Sequence, residues 1–177
     1  IFVATDDRNN VKIYSFDTLG NPRAGHTITL TDRVAGLDQG TSPVTDGNNL
    51  YFGTEGAGDT FNPTTIYGYD MSGAAAAALF APRSLPGGGV PYGSGNEKLV
   101  GKPLVLGTEL FVSTTKGNVY GINKTTGVVT VRYDASTSGP TLRQEILTNP
   151  VDGGSGNIYI GSSANKVHKI DTTTRTP

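Results

Sequence analysis

The chain has 177 residues, with 14 Lys and Arg against 15 Asp and Glu, a formal net charge of −1, two His, no Cys and no Trp. A charge so near zero offers no broad basic surface to neutralise phosphates, which argues against nucleic acid as a partner. The lack of cysteine excludes disulfides and thiolate metal sites, and no apolar run reaches the length of a membrane span.

In chain order, residues 1–5 form a first predicted strand, followed by the oxygen-rich turn Asp6-Asp7-Arg8-Asn9-Asn10. That turn invites a calcium reading, but it lacks the spaced acidic ligands and distal glutamate of a calcium loop, so a polar hairpin is expected. Residues 11–17 form the next strand. Leu19-Gly20-Asn21-Pro22 then turns the chain into a strand at 26–30. His26 has no cysteine or second histidine near it in sequence and is expected to be a surface strand residue, not a metal ligand.

Pro43-Val44 opens the next unit, and Asp46-Gly47-Asn48-Asn49 predicts a tight hairpin to the strand 51–54. Residues 55–65 are an insertion containing Phe61, and the following strand ends at Asp70. The alanine run at 74–79 favours helix in isolation, yet it falls where the other units place an outer strand, so strand is expected. Residues 82–95 are rich in Gly and Pro and carry Tyr92. No Gly-Lys-Ser/Thr and no helix start follows them, so they read as a surface loop, not a phosphate cradle.

Residues 102–134 supply the clearest unit, with strands A to D at 104–106, 110–114, 118–122 and 128–133. Gly107-Thr108-Glu109, Lys116-Gly117 and Lys124-Thr125-Thr126-Gly127 separate them, and glycine supplies the positive φ such turns need. Asn123-Lys124-Thr125 is formally a glycosylation sequon. Residues 149–177 repeat strands A to C only.

The four units align internally. Their B strands read Phe2-Val3-Ala4-Thr5, Tyr51-Phe52-Gly53-Thr54, Phe111-Val112-Ser113-Thr114 and Tyr159-Ile160-Gly161-Ser162. Their C strands pair Ile13-Tyr14, Ile66-Tyr67, Val119-Tyr120 and Val167-His168, and close on Asp17, Asp70, Asn123 and Asp171. A period of about fifty residues with four antiparallel strands per period predicts an all-β fold, a β-propeller of four-stranded blades. The repeats run approximately 1–41, 42–101, 102–148 and 149–177 of a single propeller region. The Asx column is expected to make turns, because a fourfold carboxylate column suits a repeated turn and an active site would break the repeat. Small residues at Ala4, Gly53, Ser113 and Gly161 mark where neighbouring sheets approach closely. His168 stands in a tyrosine column and is expected to be a packing substitute.

The pattern of Pro, aliphatic strand, Gly/Ser-Thr, Gly-Asn-Val-Tyr-Gly-Ile-Asn and Thr-Gly resembles the PQQ-like repeat of quinoprotein dehydrogenases and their non-enzymatic relatives. The resemblance implies a ring of seven or eight blades, so four repeats, the first without A and the last without D, are expected to be an arc of a larger propeller. Its open edges would be covered by further sequence or by another copy of the chain. Ile1 is not an initiator methionine, and a processed product, a fragment or the ordered part of a longer protein is expected.

Three functions follow. The first is a non-enzymatic exported scaffold, extracellular or periplasmic, that binds a protein partner or another copy of the chain and carries no cofactor. The second is an adhesin, since Pro43 to Thr54 resembles a blade start in the propeller of type IV pilus tip adhesins. The third is part of a quinoprotein oxidoreductase whose site lies elsewhere. The resemblance implies a quinone stacked between a tryptophan and a disulfide of adjacent cysteines, and this sequence has neither residue type. No Gly-x-Ser-x-Gly elbow occurs either. The long segments 31–41, 55–65, 82–101 and 135–148 all fall at B–C turns or D–A crossings, which emerge on one face. Aromatics in polar loops are a usual source of contact energy, so Phe61 and Tyr92 are the expected partner-binding residues.

Overall fold

The computed structural model describes residues 1–6, 11–30, 41–54, 64–85, 98–133, 148–163 and 165–173. They form four antiparallel sheets. The first is β1 (Phe2–Asp6), β2 (Val11–Ser15) and β3 (Ile28–Leu30), in that order. The second runs β4 (Val44–Asp46), β5 (Asn49–Thr54), β6 (Thr65–Asp70) and β7 (Ala77–Ala78), with β8 (Arg83–Ser84) also on β6. The third is β9 (Leu104–Leu106), β10 (Glu109–Ser113), β11 (Val119–Asn123) and β12 (Val129–Tyr133); the fourth is β13 (Val151–Gly154), β14 (Asn157–Ser162) and β15 (Lys166–Asp171). Strands are thus ordered B-C-D, A-B-C-D, A-B-C-D and A-B-C, as the internal alignment predicts.

The alternation of side chains along a strand explains how four sheets make three cores. Along each B strand the first aligned residue faces the following sheet and the second faces the preceding one. Tyr51 therefore packs with Leu110 and Val112 of the third sheet, while its neighbour Phe52 packs with Val11 and Ile13 of the first. Phe111 likewise turns to Ile158 and Ile160 of the fourth. Tyr51, Phe52, Ile13, Ile66, Leu110 and Ile158 are wholly buried, and each such side chain contributes about 1.5–3 kcal/mol. Phe52 also stacks on Tyr67 and Tyr69, at centroid distances of 5.2 and 6.1 Å.

Polar ties cross each interface as well. Arg23 Nη2 donates to the Met71 carbonyl at 3.1 Å, Arg83 Nη2 donates to the Thr126 carbonyl at 3.2 Å, and the Lys102 amide donates to Asn149 Oδ1 at 3.1 Å. Lys124 pairs with Asp46 between the third and second sheets.

Two expectations need correction. His26 is not a surface residue. It is 4% exposed, with Nδ1 2.8 Å from the Ala24 carbonyl oxygen and Nε2 3.2 Å from that of Met71. The second sheet's turn covers it, and with Arg23 Nη2 3.2 Å from Nε2 both ring nitrogens have polar partners, which makes burial of a polar ring tolerable. The alanine run is indeed not helical, but the outer strand is two short pieces, β7 and β8. Between them Phe80 turns inward over Gly68, where a Cβ would meet Phe80 Cε1 at 2.6 Å.

Candidate interaction surfaces

The Asx column is built of turns. Asp17 Oδ1 accepts from the Leu19 and Asn21 amides at 2.8 and 2.9 Å, Asp70 Oδ1 from Ser72 at 2.8 Å, Asn123 Oδ1 from Thr125 and Thr126 at 3.0 and 2.9 Å, and Asp171 Oδ1 from Thr173 at 2.8 Å. The backbone bond from Asn21, then its side-chain amide, holds the Asp17 carboxyl below its ordinary value, and the Ser72 side chain and amide do the same for Asp70. These oxygens are committed to their own chain. Asn123, the sequon residue, spends its amide oxygen in the same way.

The adjoining A–B turns are clamped to these Asx turns. The Met71 amide donates to the Asn48 carbonyl, Lys124 to Thr108 and Thr172 to Gly156, at 2.9, 3.0 and 2.9 Å. Gly47 and Gly107 have φ of +58° at the first central turn position, where a side chain would be strained. This end of three sheets is a row of short, internally satisfied turns.

At the opposite end, Thr54 pairs with Thr65 as the last register of β5 and β6, so residues 55–63 connect there. Phe61 and Tyr92 lie outside the described residues, as do residues 7–10 of the oxygen-rich turn. What the structure does describe is how the second and fourth sheets are entered. Thr41 Oγ1 accepts from the Gly53 amide at 2.9 Å, and Thr148 Oγ1 accepts from the Gly161 amide at 2.7 Å. Both threonines stand two residues before the strand A proline, a Thr-x-Pro signal that the column comparison could have included. Ser113 Oγ in turn donates to the Thr148 carbonyl at 3.1 Å. The small column thus receives the crossing segments.

Among the described residues no three His, Cys, Asp or Glu side chains group where they could hold a metal ion, and no helix is long and apolar enough to cross a membrane. His168 Nε2 lies 3.0 Å from Ser162 Oγ, a nucleophile and base in contact. Ser162 is buried and aligns with Thr54 and Thr114, while the His168 ring sits 6.4 Å from Tyr133 across the interface with the third sheet. The pair fills a core column, as expected of a packing substitute.

The end faces are the feature that sequence reasoning did not place. Ile1 aligns with Leu50, Leu110 and Ile158, each 0% exposed, yet Ile1 is 70% exposed. Val3 is 43% exposed where Phe52, Val112 and Ile160 are at most 2%. On the fourth sheet, Tyr159 is 37% and Val167 74% exposed, against at most 2% for Tyr51, Phe111, Ile66 and Val119. Val151, aligned with Leu104, is also exposed. Five of the eight large exposed hydrophobics among the described residues therefore belong to columns that are core elsewhere. Among the described residues no core joins the fourth sheet to the first.

No protein-family model matches the sequence, and no curated protein sequence matches it. Solved structures do. The chain aligns over 97% of its length with 49% of BamB from Moraxella catarrhalis, at 18% identity and a TM-score of 0.52. It aligns over 98% with 45% of Sqt1 from Saccharomyces cerevisiae, at 12% identity and 0.57, and over 95% with 83% of the computationally designed Ika4 protein, at 10% identity and 0.53. The fold is a β-propeller. The chain spans about half the length of BamB and of Sqt1, and its sheets succeed one another as blades, each burying one face of the next. Ile1 and Val3 then lie on the trailing face of the first blade, and Tyr159 and Val167 on the leading face of the last.

Proposed function

We propose that this propeller is a non-enzymatic binding or assembly scaffold, built of PQQ-like repeats and acting outside the cytoplasm, in the periplasm or at the cell surface. Recognition falls on the face that carries the B–C and D–A connections. The single observation behind this reading is the inequality of the two blade ends: one is a row of short turns closed by the Met71–Asn48, Lys124–Thr108 and Thr172–Gly156 bonds, and the long segments 31–41, 55–65, 82–101 and 135–148 fall at the other. Long connections carry an ordering cost that packing alone rarely offsets. Phe61 and Tyr92 are the contact residues of this proposal, and the partner is a protein.

The test uses the whole chain immobilised as bait for periplasmic and surface proteins. Phe61→Ala with Tyr92→Ala is compared with Lys124→Glu on the turn end. Proteins retained by the parent should be lost with the aromatic pair replaced and kept with the lysine replaced. Retention indifferent to Phe61 and Tyr92 would overturn the reading.

A further inference from the structure

We infer that Asn123 accepts an N-linked oligosaccharide on the turn end of the third blade, a step that rests on the proposed location outside the cytoplasm. Asn123-Lys124-Thr125 is the only Asn-x-Ser/Thr of the sequence whose middle residue is not proline; Asn62-Pro63-Thr64 is barred by its ring. The motif is defined by the side-chain amide nitrogen of Asn and the hydroxyl that follows it. Its local turn leaves both groups at liberty. Asn123 Oδ1 accepts from the Thr125 and Thr126 amides at 3.0 and 2.9 Å, so the oxygen alone holds the turn. Nδ2 has no hydrogen-bond partner among the described residues. The buried side-chain polar atoms without a partner are Ser15 Oγ, Thr54 Oγ1, Arg83 Nε and the Tyr133 hydroxyl, and Asn123 Nδ2 is not one of them, so it faces water. Thr125 is exposed and, among the described residues, is engaged through its amide only.

The aligned turns and the other asparagines show the contrary arrangement. Thr173 Oγ1 donates to Asp171 Oδ1 at 2.6 Å, and the Ser72 side chain bonds to the Asp70 carboxylate, so those hydroxyls are spent within their turns. Asn157 Nδ2 donates to the Gly154 and Ser155 carbonyls at 3.0 and 3.3 Å, Asn118 Nδ2 to the Tyr120 hydroxyl at 3.3 Å, and Asn21 Nδ2 to Asp17 Oδ2 at 3.1 Å. Those nitrogens are committed. In the transfer, Asn123 Nδ2 bonds to the anomeric carbon of a lipid-linked diphosphate oligosaccharide as the anomeric C–O bond breaks; the lipid diphosphate leaves with the electron pair, and Nδ2 gives up one proton. The turn's bonds reach no further than Thr126, so it can form before the blades pack. After folding, the sugar stands among the short turns, opposite the connections assigned to recognition.

The test sends the 177-residue chain through the secretory route of a eukaryotic host behind an added signal sequence, so that export is imposed and only the acceptor is in question. Peptide mass spectrometry should find an oligosaccharide on Asn123 that peptide N-glycosidase removes. It should be kept in Thr125→Ser and lost in Thr125→Ala, both secreted with the parent's circular dichroism spectrum. Tyr159→Thr completes a second motif at Asn157, whose nitrogen is committed, and should add no sugar there. A bare Asn123 in the secreted parent, or sugar on Asn157 in Tyr159→Thr, would overturn the inference and leave the export reading standing. Fractionation of the source cells reads export separately: recovery of the native chain from the cytoplasm alone would overturn both.

Discussion

A Cβ placed on Gly53 would fall 2.1 Å from Leu99 Cδ1. Leu99 belongs to the segment entering the third blade, where it bridges to Thr114, so the contact fixes how closely that crossing lies against the second blade. Leu99 is itself buried and Ile66 Cδ1 stands 3.0 Å from the same point, so an added methyl would require both side chains to shift within a packed core. Gly53→Ala should destabilise the chain by about 1–3 kcal/mol through overpacking. Urea denaturation checks it, and Leu99→Ala in the same background should recover part of the loss.

Ser155 offers the opposite test. It has a φ of +52° at the A–B turn position that glycine holds as Gly47 and Gly107. The left-handed region costs a side chain about 1–2 kcal/mol, and glycine gives part of that back in unfolded-state entropy. Ser155→Gly should therefore stabilise by about 0.5–1 kcal/mol. A thermal melt showing no rise would mean that the serine relieves its strain by other means.

The acid limb of stability should carry the signature of Asp17 and Asp70. Both carboxyls titrate below 3.8 in the folded chain because they accept hydrogen bonds from Asn21 and Ser72. A depressed folded-state value means that the unfolded chain binds protons more readily. The contribution is complete above 3.8 and is lost as pH falls through the lower folded values. Asn123 makes the same turn with an amide, so Asp17→Asn and Asp70→Asn should keep the turns and flatten the limb. Denaturant midpoints measured from neutral pH to below 3 would show this as a shallower decline in the double variant.

Lys124 and Asp46 join the turn ends of adjacent blades, and their side chains are 19% and 40% exposed. A pair so accessible is screened by water and salt, so its coupling should be about 0.2–1 kcal/mol in a double-mutant cycle. Raising the salt concentration should shrink that coupling. A value of several kcal/mol would mean that the pair orders the turns themselves.

The sequence alone determined the repeat, the strand order and the Asx turns, because each rests on chemistry that acts within a few residues. Alternation sets which face a residue takes, glycine supplies a φ that other residues resist, and Asp or Asn bonds amides two to four positions ahead. What only the tertiary structure decided depended on groups far away in the chain. His26 reads as a surface residue until the Met71 carbonyl, 45 positions later, closes over it. The outer strand of the second blade is in two pieces, and between them Phe80 fills the gap above Gly68 and also lies against Gly127 of the next blade. The same holds for the end faces. Ile1 and Tyr159 belong to columns that spell core, and only the arrangement of blades shows that the neighbours which bury those columns elsewhere are not supplied by the described residues of this chain.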